Sequence, residues 1–169
     1  MANIKDVYVK VFVHKGGPDG DFHFETTDLP MGPNNHLVFR NCDNDGFYVH
    51  YEIQGGAYLF PSDKDDAVYS QNQLGCPSTK QQWGQFKGWD VQKGGQTLVV
   101  WNKNRTSQDF GYTLNVSADG KPPFLPLDPG GTNENGSYNM NVASLSLALF
   151  GGAIAGSLLT LGVQSIMGS

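Results

Sequence analysis

Apolar residues return at every second position in several stretches of this chain, the period of strands with one buried face. Val7, Val9, Val11 and Val13 share one face of the first stretch, and Tyr8, Lys10, Phe12 and His14 share the other. In the second, Phe47, Val49, Tyr51 and Ile53 oppose Tyr48, His50, Glu52 and Gln54. In a later one, Phe110, Tyr112, Leu114 and Val116 oppose Gly111, Thr113, Asn115 and Ser117. Residues 96–103 are apolar on both faces at their centre, which predicts a central strand. Shorter segments at 21–25, 36–41, 57–60 and 82–92 read as further strands. Turn-forming clusters separate them, among them Gly16-Gly17-Pro18-Asp19-Gly20, Asp43-Asn44-Asp45-Gly46 and Lys93-Gly94-Gly95. No helical period precedes residue 140. Strands at this spacing predict an all-β domain over residues 1–117, an antiparallel β-sandwich of immunoglobulin-like or cupredoxin-like kind, with a small barrel as the alternative.

The pattern changes after residue 117. Residues 118–141 are rich in Pro, Gly and Asn and read as a linker, part of it lying along the sandwich edge. The last charged residue is Glu134, and residues 142–163 are 22 apolar or small side chains. A helix of that length spans about 33 Å, enough for a hydrocarbon core of roughly 30 Å. The expectation is one transmembrane helix over 142–164 and a short tail over 165–169. A buried core helix is the competing reading, but no second helix is expected to cover it.

Within the helix, Ser144, Ala148, Gly152, Gly156 and Thr160 recur every fourth position. Small residues let helix backbones approach in lipid, where burial of apolar surface contributes little. The stripe therefore predicts a helix–helix contact, with a second copy of the chain or with a different membrane subunit. With no export signal recognised at the N-terminus, the β domain is expected on the cytoplasmic side of a single-pass membrane protein.

Composition narrows the partners. The 169 residues suffice for one domain and a tail. The net charge is −5, and no cluster of Lys and Arg occurs, so nucleic acid is not an expected partner. Cys42 and Cys76 fit either one disulfide closing a loop of 35 residues or two free thiols.

Few residues suggest chemistry. His14, His23, His36 and His50 all fall in or beside predicted strands, and no nucleophile elbow or catalytic cysteine signature accompanies them. No enzyme activity and no cofactor are expected. His14 and His23 can meet across a hairpin, and His50 shares a strand face with Glu52, but a zinc site needs three or four ligands, so no metal site is assigned. Asp43-Asn44-Asp45-Gly46 resembles the start of a calcium loop, yet the twelfth position is Gln54 instead of Glu, and a hairpin turn explains the segment. Asp63, Asp65 and Asp66 read as a solvated acidic loop. Trp83, Phe86 and Trp89 are spaced by three, which breaks strand alternation, so one of them is expected at a bulge or facing solvent, where it can stack on sugars. Three glycosylation sequons, at Asn104, Asn115 and Asn135, read as chance.

The segment from Phe110 to Val116, followed by Asp128-Pro129 and a later Asn-Gly, resembles the C-terminal end of small uncharacterised bacterial β-sandwich proteins. Those end in a Tyr-bearing strand and an Asp-Pro turn. The resemblance implies the sandwich alone; it carries no functional residue and does not include the apolar helix. The leading functional expectation is a membrane-anchored accessory or scaffolding subunit of a larger membrane assembly. The alternatives are a membrane-tethered module for carbohydrate or Ca²⁺, and a viral or phage surface protein.

Overall fold

The structure, a computed structural model, describes residues 3–17, 20–40, 45–134 and 137–138. The chain divides into two units, Met1–Asn139 and Met140–Ser169, and all described strands belong to the first. Cys42, Asn135 and the whole of 142–169, with the small-residue stripe, lie outside the described residues. Among those described, no helix is long and apolar enough to cross a membrane.

The fold is almost entirely β. One sheet holds β1 (Lys5–Gly17), β2 (Gly20–Glu25), β5 (Phe47–Ile53), β7 (Phe86–Gln92) and β8 (Thr97–Asn102), in the order β2-β1-β5-β8-β7. The other is built around β9 (Thr106–Val116). β6 (Val68–Gln71) lies on one edge of β9, and β10 (Leu125–Leu127) and β11 (Gly130–Asn133) follow one another along its other edge. β4 (His36–Phe39) then pairs with β11, and β3 (Met31–Gly32) pairs with β4. β12 (Ser137–Tyr138) pairs with the start of β9.

The alternating faces are disposed as expected. Val7, Val9 and Val11 are fully buried beside Phe47, Val49 and Tyr51, while Tyr8, Lys10, His50 and Glu52 point the other way. β8 sits inside its sheet, with Leu98, Val99 and Val100 all buried. Rings from the two sheets interdigitate: Phe39 lies 5.4 Å from Phe47, and Phe86 lies 4.9 Å from Phe110 and 4.6 Å from Tyr112. Two hydrogen bonds cross this interior. The Tyr51 hydroxyl donates to the Tyr112 hydroxyl at 2.9 Å, and Asn102 Nδ2 donates to Asn133 Oδ1 at 2.7 Å.

Four expectations need correction. The pairing is not wholly antiparallel: β1·β5, β4·β11 and β9·β12 are parallel. The domain does not stop at residue 117, because β10, β11 and β12 lie in the segment read as a linker. β11 is an interior strand whose Gly-Gly-Thr-Asn sequence has too few side chains to alternate. Residues 57–60 form no strand; Leu59 makes only an isolated bridge to Ser117. The segment at 82–92 enters its ladder only at Phe86.

Candidate functional site

Outward-facing side chains of the first sheet are brought side by side by the strand register. Tyr48 on β5 pairs with Trp101 on β8, which pairs with Lys87 on β7. One row along, Tyr8 pairs with His50. Flat side chains at these positions form a continuous face. Tyr8 stacks on His50 with centroids 4.6 Å apart, and His50 Nε2 is 2.7 Å from Asp6 Oδ1. Lys87 and Lys103 place their ammonium groups 5.4 and 5.1 Å from the Trp101 ring centre, and neither forms an ion pair among the described residues. Each cation–π contact contributes about 0.5–1 kcal/mol at such exposure.

Trp89 completes the face, and a bulge puts it there. The β7·β8 register slips between Gly88 and Asp90, leaving Trp89 as the extra residue. Its ring lies 5.3 Å from Tyr48 and 5.5 Å, edge-on, from Trp101, yet remains 48% exposed. Gly88 makes the bulge possible. A Cβ there would stand 2.7 Å from the Lys64 carbonyl oxygen, so no larger residue lets the short helix α1 (Lys64–Ala67) lie against this strand. The Gly88 N–H donates to Gln82 Oε1 at 2.8 Å, and the Gln82 amide donates to the Val68 carbonyl.

This packing leaves a cleft of about 390 Å³ beside Trp89, lined by Lys64, Asp65, Gln82, Lys87, Gly88 and Trp89. One exposed indole thus borders an open cleft whose lining is mainly apolar and also presents donors and acceptors. The Trp101 Nε1 is buried and has no hydrogen-bond partner among the described residues. The spacing of Trp83, Phe86 and Trp89 had pointed to one ring leaving the core, and Trp89 is that ring; Phe86 is fully buried and Trp83 packs 5.3 Å from Phe110. Tyr8, Tyr48 and Trp101 were missed as site residues. For Tyr8 and Tyr48 the signal was present, as aromatic residues on the polar face of two alternating strands, whereas Trp101 lies in a strand without that alternation.

The remaining sequence candidates are engaged in structural contacts. Asp63 caps α1, accepting from the Asp65 N–H at 2.9 Å, and Lys80 bridges Asp63 and Asp66 at 3.2 and 2.8 Å. The helix-capping N–H and then Lys80 lower the Asp63 carboxyl below its ordinary value. Each of the three carboxylates is paired with Lys80 or Lys64, and among the described residues no three potential ligands converge on a metal position. Asp45 accepts from the Asn3 N–H at 2.7 Å, as a turn residue does. His36 Nε2 lies 2.7 Å from Thr132 Oγ1, which donates to Asp109 at 2.5 Å, so this hydroxyl is spent on a carboxylate instead of being activated by the imidazole. Cys76 is exposed overall, but partial burial of its sulfur and then the Asp128 carboxylate raise the thiol above its ordinary value, which disfavours the nucleophilic thiolate. Its suggested disulfide partner, Cys42, is not among the described residues. Two sequons are closed to glycan attachment: Asn104 is fully buried, and Asn115 is buried with its amide donating to the Asp66 carbonyl at 2.7 Å.

No family model and no curated protein matches the chain.

Proposed function

We propose that this protein is a non-catalytic carbohydrate-binding module, held at a membrane by a helix over residues 142–164. The exposed Trp89 indole, set against Tyr48 and Trp101 and bordering a cleft that holds both apolar surface and polar groups, carries the reading. A pyranose ring presents a face of C–H groups that packs on an aromatic plane, while its hydroxyls seek hydrogen bonds at the edge. Trp89 supplies the plane. Gln82, Asp65, Lys64 and Lys87 supply the bonds. The unpartnered Trp101 N–H is a further donor once the lysine stems over its ring shift. Lys87 and Lys103, without carboxylate partners among the described residues, favour glycans that carry acidic substituents. The finer classification of the domain as an immunoglobulin-like or cupredoxin-like sandwich belongs to the same proposal. It is supported by two sheets whose inward faces share one core.

Probing an array of immobilised neutral and acidic glycans with the detergent-solubilised full chain tests this. Selective binding that Trp89→Ala abolishes supports the reading. Wild-type protein that binds no glycan overturns it.

The uncharged run with Ser144, Ala148, Gly152, Gly156 and Thr160 in register favours a second reading, in which the chain is an accessory subunit packed against other membrane subunits or a second copy. It predicts that Gly152→Leu and Gly156→Leu release the protein from a larger complex on native gels while the β domain stays folded. Unchanged migration of both variants contradicts it.

A further inference from the structure

The β1–β2 hairpin carries a pair of histidines that the glycan face does not use. The register sets Phe12 opposite His23, so Phe12, His14 and His23 share one outward face, with Glu25 two residues beyond His23. His14 Nε2 and His23 Nδ1 face each other at 2.9 Å, and the rings are inclined by only 13° with centroids 4.9 Å apart. The rings are nearly parallel and the two nitrogens lie within hydrogen-bond distance, so an ion that replaces the hydrogen between them meets both imidazoles after a small reorientation. One hydrogen is shared between them.

Two further contacts hold the arrangement. Phe12 stacks on His23 at 4.5 Å with the rings inclined by 3°, which limits rotation of the imidazole. The second nitrogen of His23, Nε2, lies 3.8 Å from Glu25 Oε1. At that separation the carboxylate is a charge beside Nε2, and the reorientation that admits an ion brings it within hydrogen-bond reach, where a carboxylate fixes the tautomer of a metal-ligating imidazole and leaves its near nitrogen unprotonated.

We propose that His14 and His23 bind one divalent transition-metal ion of the Zn²⁺, Ni²⁺ and Cu²⁺ class, Glu25 orienting His23 from behind. Imidazole nitrogens suit these ions, with bonds of about 2.0–2.1 Å. A tetrahedral angle at the ion then needs nitrogens about 3.4 Å apart, an opening of about half an ångström from the present 2.9 Å. His23 is 40% exposed at its side chain, and His14 is also exposed, so that movement displaces no core residue. When the ion enters, the hydrogen between the rings moves to Nδ1 of His14, and the hydrogen of His23 stays on Nε2 towards Glu25. Both rings remain neutral and each donates one lone pair. No third protein ligand converges here among the described residues, so water completes the coordination.

Calorimetric titration of the detergent-solubilised full chain with nickel chloride, then zinc chloride, tests the site. The expected result is one saturable site per chain. His14→Ala and His23→Ala should each weaken it by at least about tenfold, and Glu25→Gln by roughly tenfold. His36→Ala and His50→Ala serve as controls and should leave it unchanged. Near-UV circular dichroism checks that each variant keeps its packing. Absence of saturable binding by the wild type, or equal affinity in folded His14→Ala and His23→Ala variants, overturns the proposal.

Discussion

At the scale of single residues, the interior depends on a few polar groups whose loss has calculable consequences. Tyr51 and Tyr112 are both fully buried, and their hydroxyls share one hydrogen bond between the sheets. Tyr51→Phe removes the donor and should cost about 1–3 kcal/mol, read from urea unfolding, whereas adding Tyr112→Phe should cost less than the sum of the single changes. Burial, then the proximity of Tyr112, raises the Tyr51 phenol well above its ordinary value, and burial raises Tyr112. In the unfolded chain both titrate near 10. The folded state therefore retains protons that the unfolded state releases. Stability is intact below about pH 10 and should fall as pH rises beyond it, with the urea midpoint declining from about pH 10 upward. Tyr51→Phe/Tyr112→Phe should flatten that decline. A midpoint unaffected by pH in the wild type would contradict this account of the pair.

Element by element, the chain shows which strands a pattern reveals and which it hides. β1, β5 and β8 were legible because Val, Phe and Tyr alternate or run together there. β11 was hidden: Gly130 and Gly131 read as linker, yet the strand lies between β9 and β4 because a bare backbone leaves room for the Phe110 ring. The outer face of β9 misled in the other direction. Gly111, Thr113, Asn115 and Ser117 look solvent-facing by composition, but all are buried. The segment preceding Pro77 folds over them: the Gly111 N–H donates to the Gln73 carbonyl at 2.8 Å, and Thr113 Oγ1 donates to the Pro77 carbonyl at 2.9 Å. Such covering depends on distant loops, and no local period encodes it. A Cβ on Gly111 would collide with the Gly75 carbonyl oxygen. Gly111→Ala should therefore destabilise by about 1–3 kcal/mol in denaturant titration, without touching the Trp89 face. Trp89 itself was legible in part, since its spacing from Phe86 announced a bulge. That Tyr48 and Trp101 would flank it was not, because cross-strand neighbours follow from register.

In the whole molecule, the β domain carries the proposed glycan face and the C-terminal segment is proposed to hold it at a membrane. All described strands end by Tyr138, and the first unit closes at Asn139. A chain terminated after Asn139 should keep the unfolding midpoint of the full chain to within about 0.5 kcal/mol and move from the carbonate-washed membrane pellet to the supernatant. If it stays in the pellet, the anchor has been misplaced. Binding energy is expected to concentrate in the central aromatic group, so Trp89→Ala should cost at least about 2 kcal/mol of affinity, roughly thirtyfold. The most direct test is intrinsic tryptophan fluorescence of the full chain, titrated with a soluble oligosaccharide of the class bound on the array. The account predicts a saturable change in emission that vanishes in Trp89→Ala and persists in His14→Ala. A wild type whose emission is indifferent to sugar, or a Trp89→Ala variant that binds as tightly by calorimetry, would contradict it.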